Sequence, residues 1–424
     1  MRKLNRKHSR RSFLKRNAML NAGLLLGTGT THAAITRSPR KDRIEKAKVY
    51  AVPSHFQDVE DMPADLFGDL GLIRKGTPEM TIGGGATSIE PITSVDEWDV
   101  KANALRTIFK MALGTPPSDI DCDLSVRVEN EFDREDIIER RVSYKVGPNE
   151  RIAAIMLIPK GISSPRPALL TIHPTTEKGK EQTVGRGETV DGKLTDKAYN
   201  RAYGMHLAKR GYVTFSPDII SAGERMFPGK RAFDNQPFIK ANPHWSGVGK
   251  DLWDLQRAID VMQTFSEINP SRIGSIGHSQ GAYLTCQLRA IDERVKVGVS
   301  NCGIWPSRIA KNPFNRARTD WWTGWPLLRP FFYAGKPAPI DDHEIIALSA
   351  PRPFLDITAL NDSGYNKEEE PFTRAAWENL RINVKKIYAL HGAEDKFNTV
   401  FHLDGHDFPE KQRDQAYTFI EQHL

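Results

Sequence analysis

Ser271-Arg272-Ile273-Gly274-Ser275-Ile276-Gly277-His278-Ser279-Gln280-Gly281-Ala282-Tyr283-Leu284 reads as a strand, a sharp turn and the start of a helix. The turn, Gly277-His278-Ser279-Gln280-Gly281, fits G-x-S-x-G, and its setting between strand and helix gives the pattern its weight. A glycine-bearing βα turn that carries a serine by chance is the competing interpretation. A strand that turns at once into a helix forces the central residue into a strained backbone conformation. The neighbours two residues away on each side must then lack a Cβ, and Gly277 and Gly281 meet that need. The helix N-terminus behind Ser279 favours negative charge developing there.

A serine in this position needs a base to take its proton and a carboxylate to orient that base. On such a turn the chain order is serine, acid, histidine. The histidines downstream are His343, His391, His402, His406 and His423. His406 lies in Leu403-Asp404-Gly405-His406-Asp407-Phe408, between the last expected strand, 399–403, and the last expected helix, 410–423. A loop there brings an imidazole over the C-terminal edge of a parallel sheet. Two acids compete. Asp362 follows the expected strand 354–359 and lies 44 residues before His406, room for a helix and a strand. Asp395 lies 11 residues before it, room for a strand alone. Spacing favours Asp362, with Asp395 as the alternative; Asp356 falls inside the strand. For the oxyanion, the Gln280 N–H is the first donor by position. His173-Pro174-Thr175-Thr176 follows the apolar run 168–172, and Pro174 has no N–H, so the second donor is Thr175 or Thr176. The scheme needs no cofactor and no metal. His402 and His406 are four apart, but Gly405 and the strand context argue against a zinc-binding helix.

Outward from the turn, strand and helix signals alternate. Strands are expected at 168–172, 212–216, 272–276, 295–299, 354–359 and 399–403. Helices are expected at 199–210, 251–265, 280–291, 371–380 and 410–423. That order implies an α/β fold: a mostly parallel central sheet with helices on both faces. Alternating segments at 124–128 and 138–146 and a fully apolar strand at 152–158 form an antiparallel N-terminal edge. A helix is expected over 98–113, stopped by Gly114 and Pro116-Pro117. Residues 51–95 look irregular, and Glu368-Glu369-Glu370 reads as a solvated helix start. No internal repeat is present.

The chain has 424 residues, 39% hydrophobic, with 60 Lys+Arg against 53 Asp+Glu and a net charge of +7. Its location matters more than its size. Residues 1–16 carry eight Lys and Arg and no acid, and residues 17–36 carry no charged side chain. The basic start, the short apolar run around Leu24-Leu25-Leu26 and the small residues up to Ala33-Ala34 describe an export signal. Ser9-Arg10-Arg11-Ser12-Phe13-Leu14-Lys15 looks like the twin-arginine signal, which makes the twin-arginine translocation machinery a partner and the periplasm or the medium the destination. The apolar run is too short for a stable membrane span. Without residues 1–34 the chain carries −1, so nucleic-acid binding loses its support. Three cysteines give no disulfide framework, which suits a protein exported folded. The expected organisation is a signal at 1–34, an N-terminal extension at 35–120 with one helix packed on the core, and a catalytic domain at 121–424 with an aromatic insertion at about 303–345.

From Arg141 onward the chain resembles the α/β-hydrolase superfamily. It is most similar to the dienelactone-hydrolase-like and acetyl-xylan-esterase-like branch. The residues that carry the likeness are Pro217-Asp218 through Gly223-Glu224-Arg225, Asp251 to Leu255, Ile276 to Gly281, Ala350-Pro351-Arg352-Pro353 and Gly405-His406-Asp407-Phe408. The resemblance places Asp362 at the family's acid position and implies hydrolysis of a carboxylic ester. Ser279 replaces the cysteine of true dienelactone hydrolases, and His173-Pro174 replaces the commoner His-Gly. The expected substrate is a small-molecule or carbohydrate ester. Trp305, Trp321, Trp322 and Trp325 either stack on sugar rings or pack the insertion onto the body. Glu224 and Arg225, in the 219–247 loop with His244 and Trp245, are expected on the opposite wall. The competing classes are a prolyl-oligopeptidase-type serine peptidase, against which the lack of a repeat domain argues, and a non-catalytic periplasmic protein of the same fold.

Overall fold

The computed structural model describes residues 92–308, 316–319, 321–333, 337–362 and 374–424. The chain divides into two units, Met1–Lys41 and Asp42–Leu424, and every described residue belongs to the second. The segment expected to be an export signal, residues 1–34, together with residues 35–91 and Glu368-Glu369-Glu370, lies outside the described residues.

Nine strands form one sheet. They are β1 (Arg127–Arg134), β2 (Ile137–Gly147), β3 (Glu150–Pro159), β4 (Arg166–Ile172), β5 (Val213–Pro217), β6 (Ile268–His278), β7 (Val295–Asn301), β8 (Phe354–Ala359) and β9 (Phe397–His402). Their spatial order is β1-β2-β3-β5-β4-β6-β7-β8-β9. β1, β2 and β3 run antiparallel to their neighbours. From β5 to β9 every pairing is parallel. β5 and β8 are buried along their whole length, as strands covered on both faces must be. β1 is exposed throughout. Its charged sequence, Arg-Val-Glu-Asn-Glu-Phe-Asp-Arg, blunts an edge that would otherwise template pairing with another chain.

The helices are α1 (Val95–Leu113), α2 (Tyr203–Lys209), α3 (Gly247–Met262), α4 (Gln280–Ile291), α5 (Asp342–Ala347), α6 (Arg374–Leu390) and α7 (Glu410–His423), with shorter turns between them. One face of the sheet packs against α1, α3 and α4 through residues such as Leu105, Phe109, Leu252 and Leu284. The other packs against α2 and α7 through Tyr203, Leu207, Tyr417 and Ile420. Each such side chain removed from water contributes about 1.5–3 kcal/mol. α4 sits deepest: Gln280 to Ala290 are all buried.

Several boundaries differ from expectation. β1 starts at Arg127 instead of Leu124, whose carbonyl still accepts from Lys145 N–H at 2.7 Å. α3 begins a turn early because Ser246 Oγ caps the Gly249 N–H at 2.8 Å. The helix expected over 199–210 is two, Asp196–Asn200 and α2, broken at Arg201-Ala202. α6 runs on from Leu380 to Leu390 because Val384, Ile387 and Tyr388 continue its buried stripe.

Candidate active site

β6 ends at His278, and α4 begins at Gln280. Ser279 alone makes the turn, with φ 56° and ψ −120°. This left-handed strain typically costs a non-glycine residue about 1–3 kcal/mol. The Ser279 N–H donates to Asn301 O at 2.9 Å, which ties the turn to the end of β7. The flanking glycines have a steric reason. A Cβ on Gly281 would lie 1.9 Å from Ile172 O, and one on Gly277 would lie 2.2 Å from the Gly281 carbonyl carbon.

Two loops at the C-terminal ends of β8 and β9 meet this turn. His406 Nε2 stands 2.9 Å from Ser279 Oγ, and His406 Nδ1 stands 2.7 Å from Asp362 Oδ2. The Asp362 side chain is 1% exposed and the His406 side chain 24%. The loops are clamped to each other by Asn361. Its Oδ1 accepts from Gly405 N–H at 2.9 Å and its Nδ2 donates to Leu403 O at 2.7 Å. Gly405, with φ 69°, turns the chain before the imidazole. Asn301 Nδ2 donates to Asp407 O at 3.0 Å, and Asn200 Nδ2 donates to Asp407 Oδ2 at 2.8 Å.

The alternative acid is not near. Asp395 is exposed in the turn that precedes β9, whereas His406 follows the strand's other end. Six residues of strand separate the two ends by about 20 Å. His402 closes β9, and its Nδ1 accepts from Asp404 N–H at 3.2 Å. His343 is buried in α5.

Two neighbours escaped the sequence reading. The His278 ring lies 4.7 Å from the His406 ring, and its Nδ1 accepts from Asn301 Nδ2 at 2.7 Å. Burial pushes its pKa well below the usual histidine range, helped by the His406 charge. A neutral ring therefore backs the half-buried His406 imidazole. Cys302, with φ 56°, sits beside Asp362, and burial followed by that carboxylate pushes its thiol well up. Cys302, Asp362 and His406 hold ligand-type atoms within 4.8 Å of one another. The His406 nitrogen nearest the acid is already engaged in the 2.7 Å contact. Only a strand-end position marked these residues in the sequence, and that signal is too general to single them out.

Gln280 is the first residue of α4, where an N–H has no acceptor within the helix. Across from it, Pro174 and Thr175 line the same cavity. Thr176 is turned into its own loop: its Oγ accepts from Lys178 N–H and its carbonyl from Gly179 N–H. His173 holds this loop from below. Its Nδ1 is 2.8 Å from Pro174 O, and its Nε2 accepts from Ile219 N–H at 3.2 Å. Burial lowers its pKa, so it serves as a neutral bridge.

The cavity above Ser279 has a volume of about 400 Å³. Trp305, Trp321 and Trp322 contribute rings to its wall. Trp325 does not; it is buried behind the wall against the Tyr283 hydroxyl. Asp342 fixes the wall by accepting from Trp305 N–H at 2.6 Å, and Asp341 by accepting from Ser307 and Arg308 N–H at 2.8 and 2.9 Å.

The expected opposite wall needs correction. Glu224 and Arg225 do not border the Ser279 cavity. Their charges are engaged elsewhere. The Arg225 side chain is 8% exposed and donates to Asp254 and Glu150, both at 2.7 Å, and to Asp218 O at 3.0 Å. Glu224 joins Arg141 to Lys180, and the Arg141 hydrogen bond is foremost in holding its carboxyl down at about 2. This network staples the 218–225 turn to the sheet. Trp245 packs on Phe238, ring centres 5.5 Å apart. The residue of that loop that reaches the cavity is Phe233.

Residues 197–318 match the model of the dienelactone hydrolase family. The Bacillus subtilis (strain 168) protein "Putative hydrolase YtaP" is 26% identical over 305 residues, covering 71% of this chain and 92% of that protein. Carbohydrate esterase MZ0003, from an unknown prokaryotic organism, is 27% identical over 192 residues, 44% of this chain and 43% of the esterase. Among solved structures, the glucuronoyl esterase from Solibacter usitatus superposes with a TM-score of 0.60 at 16% identity, covering 78% of this chain and 94% of the esterase. These likenesses and the sheet order make the fold that of the α/β hydrolases.

Proposed function

We propose that this chain is a serine carboxylic-ester hydrolase, exported by the twin-arginine route and active on acyl esters of carbohydrates through an acyl-enzyme. One observation carries the reading: Ser279 Oγ, both His406 ring nitrogens and the Asp362 carboxylate form an unbroken 2.9 Å and 2.7 Å relay at the floor of an open cavity. The carbohydrate ester draws support from the esterase relatives and the tryptophan wall. The export step rests on residues 9–15 alone.

In this mechanism Ser279 Oγ attacks the ester carbonyl as His406 Nε2 takes its proton. Asp362 keeps the other proton on Nδ1, sets the tautomer and stabilises the imidazolium. The tetrahedral oxyanion rests on the Gln280 N–H and the Thr175 N–H, donors fixed before the charge develops. Collapse expels the alcohol with the proton from His406 and leaves an acyl-Ser279. His406 then deprotonates a water that attacks the acyl carbon, and the released serine recovers its proton as the acid departs. The test is p-nitrophenyl acetate hydrolysis by the chain lacking residues 1–34. Ser279→Ala loses at least about 10³ in kcat with unchanged far-UV circular dichroism; equal activity sinks the mechanism. Export is checked by fusing residues 1–34 to a reporter, with transport lost in the Arg10→Lys/Arg11→Lys pair.

A further inference from the structure

Three adjacent parallel strands bring three different metal-ligating side chains together. β7, β8 and β9 pair in that order. Cys302 follows β7, Asp362 follows β8 and His406 follows β9. Each offers one ligand-type atom: a sulfur, a carboxylate oxygen and an imidazole nitrogen. These atoms lie within 4.8 Å of one another. All three residues line the cavity above Ser279, which gives a dissolved ion a path to them. Asp362 and His406 act in the ester mechanism; the thiol has no part in it.

The backbone holds Cys302 in this place. It has φ 56°, its N–H donates to Ile357 O at 2.8 Å, and it is 7% exposed. Its Sγ reaches Asp407 O only at 4.0 Å, a weak contact. The acid and the base are closer, with a proton shared across the 2.7 Å between His406 Nδ1 and Asp362 Oδ2. Thiolate, carboxylate and imidazole together suit zinc and softer cations such as cadmium, whereas magnesium and calcium take oxygen ligands. Zinc bonds to nitrogen and oxygen at about 2.0–2.1 Å, so in tetrahedral geometry it sets the two atoms about 3.3 Å apart. His406 therefore draws back by about 0.6 Å to admit the ion. That shift falls on the loop-borne ring, 24% exposed, and leaves the buried acid in place.

We propose that Cys302, Asp362 and His406 form an inhibitory site for a thiophilic divalent cation, zinc above all. Binding displaces two protons, one from Sγ and one from Nδ1. The cation is then bonded to Sγ, an Asp362 carboxylate oxygen and Nδ1, with water from the cavity as the fourth ligand. With Nδ1 on the metal, the neutral ring carries its remaining proton on Nε2. Nε2 then donates towards Ser279 Oγ and cannot accept from it. The relay stops with the serine untouched, because its base is locked in the wrong tautomer. A Ser-His-Asp relay by itself offers such a cation two ligands; the thiol after β7 adds the third. The effect on turnover rests on the serine-esterase reading, whereas binding of the cation does not.

The experiment titrates the purified, chelator-treated protein with Zn²⁺, Cd²⁺ and Mg²⁺ and reads two signals. Turnover of p-nitrophenyl acetate is expected to fall with Zn²⁺ and Cd²⁺, to stay level with Mg²⁺ and to return when chelator is added. Ultraviolet absorption is expected to show the thiolate-to-metal charge-transfer band of Cd²⁺, saturating at one equivalent. Cys302→Ser and Cys302→Ala are each compared with their own metal-free rate. Both are expected to raise the half-inhibitory concentration by about tenfold or more, equivalent to about 1.4 kcal/mol, and to lose the band. Cys122→Ser and Cys286→Ser are expected to keep it, which assigns the band to Cys302 even where the Cys302 variants fold poorly. No band, a band without inhibition, or parental sensitivity in both Cys302 variants overturns the proposal. The two levels separate cleanly. A Cys302-dependent band in a metal-free protein without turnover refutes the esterase reading alone, and turnover indifferent to Zn²⁺ and Cd²⁺ refutes this inference alone.

Discussion

Replacing Asp362 by Asn tests the relay at its least exposed point. The carboxylate accepts from His406 Nδ1 at 2.7 Å, and its side chain is 1% exposed. Asn keeps the shape and removes the charge. Two losses follow. The imidazolium formed during attack loses a partner charge at about 4 Å, worth about 4 kcal/mol at an effective dielectric of 20. An Asn amide also donates to Nδ1, which places the ring proton on Nε2, where it faces Ser279 Oγ and cannot accept from it. Together these predict a fall of about 10³ to 10⁴ in kcat, in line with the large loss that this change causes in a Ser-His-Asp triad. The assay is p-nitrophenyl acetate hydrolysis, with Asp395→Asn as control. Asp395 is exposed at the far end of β9, so its variant is expected to stay within twofold of the parent. A loss below tenfold in Asp362→Asn, or comparable losses in both variants, would refute the assignment.

Gly281→Ala places a Cβ 1.9 Å from Ile172 O, a backbone atom that must move. Urea denaturation is expected to show a loss of at least about 2 kcal/mol, typical of severe strain, with esterase activity falling alongside. Asn361→Ala removes both clamp hydrogen bonds between the acid and histidine loops. kcat is expected to fall about tenfold while Tm shifts by only a few degrees, because Asn361 is exposed. Asp356, buried in β8, has its carboxyl pushed up to about 7 by burial. Between its unfolded pKa near 4 and 7 the folded state holds the extra proton, so stability falls as pH rises through that window. Three pK units correspond to about 4 kcal/mol. Asp356→Asn is therefore expected to be the more stable protein at pH 8 and no more stable at pH 4, measured by urea denaturation at both. A constant difference across pH would contradict this account.

The sequence by itself carried the elbow, the alternation of strands and helices, and the order of serine, acid and histidine, because each depends on near neighbours. Gly277, Ser279 and Gly281 are constrained by one turn of backbone. α4, β8 and α7 begin and end where their patterns do. The spacing of Asp362 from His406 was legible because a helix and a strand need a minimum number of residues.

What only the tertiary structure decided is where charge ends up. Glu224 and Arg225 are polar, adjacent and set in a loop beside the sheet, all marks of a binding residue. Their neutralising partners are remote in sequence: Arg141, Glu150, Lys180 and Asp254. Arg201 reads as part of a helix until the chain breaks there and sets its guanidinium against His406 O. Arg316 and Arg318 lie more than a hundred residues from Lys197 and reach the same cavity only because the insertion folds over α4. Local patterns fix backbone conformation, since its energetics are local. The partners of a long charged side chain are set by distant segments that the sheet brings together, and one chain read in order carries no record of that meeting.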